Sequence, residues 1–176
     1  MSALLGESIG QLGYVVGNLD EGVEAWRSAQ GVGPWLVLRD LQLVCDRAGR
    51  TSELVIDVAF SYVGETQIEL IEQKNEAPSP YRSMIEGGTH GLHHVAYFEK
   101  DDIDALVERA IAQGMQLAFD VRSTVGGRYV YLTMPGTDSV YVELVEWNAG
   151  SDAMFVPLLA RSRDWDGADA IQEIRL

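Results

Sequence analysis

Two stretches of this sequence repeat each other, and the repeat gathers side chains able to bind a metal. Gly91–Glu99, GLHHVAYFE, resembles Ile9–Val16, IGQLGYVV: each is a short apolar run with one polar side chain near its start. Superposing them places Gln11 on His94. Further along, Thr66–Glu72, TQIELIE, matches Val140–Glu146, VYVELVE, and places Glu69 on Glu143. Burying a carboxylate in mid-strand among apolar residues is costly unless it is paired or bound to a metal. His94 alone reads more simply as a core histidine. With Glu69 and Glu143 at matching repeat positions it reads instead as a ligand, and Gln11 is the fourth donor. Three oxygens and one nitrogen suit a divalent ion of intermediate hardness: zinc, nickel, cobalt, manganese or ferrous iron.

The elements that must position these donors follow from periodicity. Ile9–Val16 reads as a buried strand. Asp20 is the expected N-cap of a helix through Ala29, and Gly31 its C-cap. Strands follow at Trp35–Val44, Glu53–Tyr62 and Gln67–Gln73, the last two joined by a tight turn at Gly64-Glu65. Asp40 breaks the alternation of the first of these. This makes residues 1–73 one β-α-β-β-β module. Residues 74–91 are a connector, with a short helix expected near Tyr81–Ile85. Residues 92–147 repeat the plan. Asp101 or Asp102 caps a helix through Gln113, with Ile103, Leu106, Val107, Ala110 and Ile111 forming an apolar stripe. Strands are expected at Gln116–Ser123, Tyr129–Met134 and Ser139–Trp147. The tail, 148–176, has no counterpart in the first module, and a short helix is expected at Phe155–Ala160. The fold class is α+β: two β-α-β-β-β modules forming an eight-stranded cupped mixed sheet with a short C-terminal extension.

Residues two apart on a strand share a face. Gln67, Glu69 and Ile71 therefore face one way, as do Tyr141, Glu143 and Val145. Glu72 and Glu146 fall on the opposite, exposed face, and His93 opposes His94. The aromatics available to line a pocket are Trp35, Phe60, Tyr62, Phe119, Tyr129 and Tyr131. Arg39, Arg122 and Arg128 are candidates to meet a carboxylate or phosphate at its rim.

Composition narrows the classes. Hydrophobic content of 47% suits a folded domain. A net charge of −14 argues against nucleic-acid binding, which needs cationic surface. No apolar run approaches the roughly 20 residues that span a bilayer. MSALLGESIG has neither the basic start nor the apolar length of a signal peptide. Cys45 is the only cysteine, so neither a disulfide framework nor a cysteine zinc site is expected. A cytoplasmic protein is the simplest expectation.

The HHVA stretch at His93–Ala96, the IELIE and VELVE strand ends and the DDID helix start at Asp101–Asp104 resemble the vicinal oxygen chelate superfamily. That superfamily includes glyoxalase I, methylmalonyl-CoA epimerase, extradiol dioxygenases and bleomycin-resistance proteins. The resemblance covers roughly Ile9–Trp147 and implies one ligand from the first and last strand of each unit: Gln11, Glu69, His94 and Glu143. That order resembles the zinc set of animal-type glyoxalase I, and Gln11 argues against the iron site of an extradiol dioxygenase. Val15 stands where glutathione-dependent members carry an arginine. Gly31–Trp35, GVGPW, is more like the epimerase-like proteins.

The resemblance implies Lewis-acid-assisted proton abstraction next to a carbonyl (an isomerase, epimerase or lyase) on a small hydrophobic or acyl substrate. Glu143 is the first choice of base and Glu69 the second. A homodimer is the expected assembly. A metal-free sequestration protein of the same fold is the alternative, and an extradiol-type dioxygenase a distant third.

Overall fold

Alternation along each strand decides which residues face inward and which meet a helix. The computed structural model describes residues 4–6 and 8–176, and every side chain among them except that of Asp138. The leader-free reading of the N-terminus falls partly on Met1–Ala3 and Glu7, outside the described residues. The first unit contains β1 (Gln11–Val15), α1 (Leu19–Gln30), β2 (Trp35–Arg47), β3 (Arg50–Val63) and β4 (Thr66–Gln73). A short α2 (Arg82–Glu86) lies in the connector. The second unit contains β5 (Gly91–Glu99), α3 (Ile103–Ala112), β6 (Gln116–Ser123), β7 (Arg128–Met134) and β8 (Thr137–Glu146). The tail forms α4 (Ala149–Arg163) and β9 (Ile171–Arg175).

The sheet runs β3-β4-β1-β5-β8-β7-β6-β2, and the pairing of β2 with β3 closes these eight strands into a ring. The two units therefore join within one chain, through antiparallel β1–β5 at one seam and β2–β6 at the other. A ninth strand was not expected: β9 adds in parallel to Trp35–Arg39 of β2.

Three apolar clusters follow from the alternation. In β4, Ile68 and Leu70 point out to Leu19 and Val23 of α1. In β8, Val142 and Leu144 point out to Ile103, Leu106 and Ala110 of α3. The intervening residues face the interior, where Leu43, Leu54, Val58, Phe119 and Tyr131 pack together. Each fully buried aliphatic side chain contributes roughly 1.5–3 kcal/mol.

Local chemistry sets the ends. Asn18, not Asp20, caps α1: its side chain accepts from the Glu21 N–H. Asp20 lies two residues further in, and contributes instead as an acidic residue in the first turn. Asp102 caps α3. At Asp40 the backbone takes φ 58° and the β2–β3 register slips between Leu38 and Leu41, a β-bulge that accounts for the broken alternation. The tail helix is longer than expected because Asn148 and Ser151 form a capping box ahead of Phe155. Among the described residues no helix is long and apolar enough to cross a membrane.

One arginine ties the tail to the barrel. Arg39 Nη1 lies 3.1 Å from Asp57 and its Nε 3.1 Å from Glu173 of β9, and it also pairs with Asp20. Burial alone would raise the Asp57 pKa. The Asp40 N–H, Arg39 and Lys74 outweigh that and hold it below the usual carboxylate range. Replacing Arg39 with alanine removes the closer of the two cations at Asp57 and leaves only the half-exposed Lys74, whose Nζ is 3.6 Å away. The expected loss is about 3 kcal/mol in a urea melt, with amide protection lost first in Ile171–Arg175. Because its folded pKa is depressed, the Asp57 contribution is present above about pH 4 and disappears as pH falls through its lower folded value.

Candidate functional site

His94 lies at the centre of the barrel, fully buried. β1 and β5 place Gly13 opposite His94, and β1 and β4 place Gly13 opposite Glu69. A Cβ on Gly13 would sit 1.9 Å from the imidazole, so only glycine leaves room for the ring. The Nε2 atom faces three oxygens: Glu143 Oε2 at 3.1 Å, Glu69 Oε2 at 3.2 Å and Gln11 Oε1 at 3.3 Å. The structure thus brings together all four residues singled out by the repeat. Glu69, His94 and Glu143 offer donor atoms within 4.8 Å of one another, a group able to hold a metal ion.

Neighbouring groups fix the orientation of each donor. The Gln11 amide donates to Gln67 Oε1 at 2.7 Å, and Gln67 donates to the Tyr62 hydroxyl at 2.9 Å, leaving Gln11 Oε1 turned toward His94. His93 does not oppose His94 as alternation predicts. The β1–β5 register jumps from Gly13↔His94 to Tyr14↔Leu92, leaving His93 as the extra residue of a β-bulge. Its ring therefore packs inside against Tyr81, Tyr131 and Tyr141.

The hydrogen bonds of His93 settle its tautomer. Its Nε2 lies 3.0 Å from the Pro80 carbonyl, which can only accept, so Nε2 carries the hydrogen. Its Nδ1 is then an acceptor, and His94 Nδ1, 3.0 Å away, must donate to it. That leaves His94 Nε2 as the one ring atom directed at the oxygens.

Charge follows from this geometry. Burial alone would lower the His94 pKa, but Glu143 and Glu69 reverse the effect and push it up to about 10. Burial, then the positive His94, lowers His93 to about 3. Burial is also the main cause of a raised Glu69 pKa. The His94 contact opposes it, and repulsion from Glu143 adds to it. Two carboxylates thus share one imidazolium.

The residues fit a divalent ion on two counts. The donor set is imidazole, two carboxylates and an amide oxygen, with a second residue holding the imidazole tautomer that metal ligation requires. The donors also open onto a cavity of about 350 Å³, lined in part by Gln11, Glu69 and Glu143. Of the expected pocket aromatics, Phe60 and Tyr129 line this cavity. Trp35 instead packs outside under α1, and Tyr62, Phe119 and Tyr131 belong to the inner core.

Sequence reasoning missed Phe98, Trp147 and Phe155 as lining residues. The signal for Trp147 was present, since it falls on the same alternation as Glu143 and Val145. Glu146, expected on the exposed face, is exposed yet borders the cavity. Glu72, also expected exposed, is partly buried and accepts from the Leu19 N–H at 2.8 Å. The rim arginines are not free: Arg39 is held as described, Arg128 pairs with Asp120 and Asp104, and Arg122 lies 3.5 Å from Asp120.

A ring of two β-α-β-β-β units with polar donors gathered at its centre defines a class of duplicated, cupped domains. The model of the Glyoxalase/Bleomycin resistance protein/Dioxygenase superfamily matches residues 10–132, and the chain belongs to that family. A search of curated proteins gives no match. Among solved structures, the fold is similar to methylmalonyl-CoA epimerase from Mycobacterium tuberculosis. The TM-score there is 0.60 at 20% identity, covering 87% of this chain and 96% of that one. It is also similar to a hypothetical protein from Bacillus halodurans (TM-score 0.59, 21% identity, 80% and 94% covered). A Streptomyces coelicolor methylmalonyl-CoA epimerase variant in complex with 2-nitronate-propionyl-CoA gives a TM-score of 0.53 at 21% identity, with 80% and 94% covered. At these identities the likeness is one of fold.

Two outcomes follow from the geometry. Gly13→Ala should destabilise the protein by about 1–3 kcal/mol and displace the His94 ring, measured by urea denaturation and histidine NMR. In metal-free protein His94 should stay protonated through neutral pH and titrate near 10, followed by NMR of its ring. Because that pKa is raised above the unfolded value, the charge contributes stability fully present below about pH 6.5 and lost as pH rises toward 10.

Proposed function

We propose that Gln11, Glu69, His94 and Glu143 hold one divalent metal ion, and that the protein is a glyoxalase-like enzyme. It removes a proton from carbon next to a carbonyl, as an isomerase, epimerase or lyase does. The observation that carries this reading is the convergence of two buried carboxylates and an amide oxygen on His94 Nε2, at the wall of a cavity. A bound ion there supplies Lewis-acid stabilisation of the negative charge that develops on a substrate oxygen.

The chain's own groups divide the remaining work. His93 and Pro80 hold the imidazole of His94 in one tautomer and one orientation. Gln67 and Tyr62 do the same for Gln11. Either carboxylate could take the proton. The raised Glu69 pKa, and its 13% side-chain exposure against 3% for Glu143, favour Glu69 as the base and Glu143 as the fixed anchor. This reverses the order taken from the sequence. The apolar walls keep water from the carbanion-like charge. A homodimer in the cytoplasm remains part of this proposal.

One observation favours a second reading, a metal-free binding protein of the same fold. The carboxylates and His94 already satisfy one another, and among the described residues no buried side-chain nitrogen or oxygen lacks a partner.

Elemental analysis separates the two. Protein grown with supplemented metals should carry about one divalent ion per chain, bound less tightly as pH falls because the ligands take up protons. His94→Ala and Glu143→Ala should lose the ion, while Glu69→Gln should retain more of it and lose turnover by roughly 10²-fold or more. Wild-type protein that takes up no ion, even on reconstitution, sinks the metal reading.

A further inference from the structure

The walls of the cavity point to what it takes. Four aromatic rings pack in succession along it, one pair edge to face and two pairs tilted: Phe60 of β3, Phe155 of α4, Trp147 just beyond β8 and Phe98 of β5. Their centroids are 4.9 Å apart for Phe60–Phe155, 5.4 Å for Phe155–Trp147 and 4.4 Å for Trp147–Phe98. The tail completes this wall. Phe155 joins the rings contributed by the two units, and Met154, Ile174 and Leu176 add apolar surface.

The charge of the lining is one-sided. Among the described residues it includes Glu69, Glu143 and Glu146 but no lysine or arginine. The cations nearest in sequence to its rim are paired with carboxylates: Lys100 with Asp152, Arg122 and Arg128 with Asp120, and Arg175 with Asp40. A phosphate-bearing carrier such as coenzyme A would meet acidic neighbours and no unpaired cation there, in a chain of net charge −14. A volume of about 350 Å³ is at the small end for ligand pockets.

We propose that this cavity selects an uncharged, flat hydrophobe of one or two rings, stacked on the aromatic wall, and that Phe155 of the tail determines this specificity. The inference deepens the enzyme reading by naming its substrate class, and it stands on the cavity wall, whether or not an ion is bound.

The test uses the whole 176-residue chain stripped of metal, with 2-naphthol and methylmalonyl-CoA as probes, followed by calorimetry and tryptophan fluorescence. Saturable 2-naphthol binding is expected, at least about tenfold tighter than that of the thioester. Phe155→Leu keeps apolar volume but removes the ring, and should weaken 2-naphthol about five- to tenfold, with circular dichroism unchanged. Phe155→Ala should weaken it further. The proposal is overturned if the thioester binds as tightly as 2-naphthol, or if folded Phe155→Leu binds 2-naphthol like the wild type. Tropolone, a flat ring that chelates metals through adjacent oxygens on losing its weakly acidic proton, separates this outcome from the metal reading. If zinc tightens tropolone but not 2-naphthol, the ion site stands whatever becomes of the aromatic wall. If zinc changes neither while Phe155 matters, the wall stands and the metal reading falls.

Discussion

Two carboxylates inside one closed barrel are the constraint on which the rest of this structure depends. Removing an ion from water costs several kcal/mol even after relaxation, and a second like charge nearby compounds the cost. Here a single imidazole lies between them, so His94 must occupy the middle of the barrel. That demand spreads outward. Gly13 must lack a side chain, because the ring fills the space a Cβ would take. His93 must turn inward at a bulge to hold the far nitrogen of the ring, and Pro80 must hold His93. Four strands and the connector are thus arranged around the compensation of one buried charge imbalance.

Duplication explains why the donors converge, and departures from it explain why the site is asymmetric. Equivalent strands lie side by side at the β1–β5 seam, so equivalent residues approach the same point from both units. The two units are not chemically equal there. The first unit offers Gln11, neutral and tied to Gln67, whereas the second offers His94, charged and tied to His93. Both carboxylates line the cavity, but Glu69 keeps 13% side-chain exposure and Glu143 only 3%. A symmetric pair of carboxylates would give a substrate two equal faces. This pair is unequal, one carboxylate more exposed than the other.

The sequence made legible whatever depends on strand period and repetition. Period-two alternation put Glu69 and Glu143 inward and Leu70 and Leu144 outward, and the repeat paired Gln11 with His94. What it could not reveal are features set by tertiary contact. The bulge at His93 leaves no mark in the pattern HHVA, because an inserted residue looks like any other until its partner strand is placed. Ile171–Arg175 is short and mostly exposed, so no hydrophobic stripe marked it; β9 exists because the β2 edge from Trp35 to Arg39 was open. The rim arginines looked free because their carboxylate partners are distant in sequence. Arg39 meets Glu173 from the far end of the chain.

The tail links stability to the shape of the cavity. The backbone of β9 is held to β2, Arg39 pairs with Glu173, and Leu176 donates its N–H to the Arg39 carbonyl at 3.1 Å. The same strand sends Ile174 and Leu176 to the cavity, and the helix before it supplies Met154 and Phe155. Few other contacts fasten β9, whose residues are all largely exposed. Local stability follows the density of buried contacts, so the tail belongs to the part of the molecule that opens first. An exposed strand therefore helps to close the wall beside the buried His94 and Glu143.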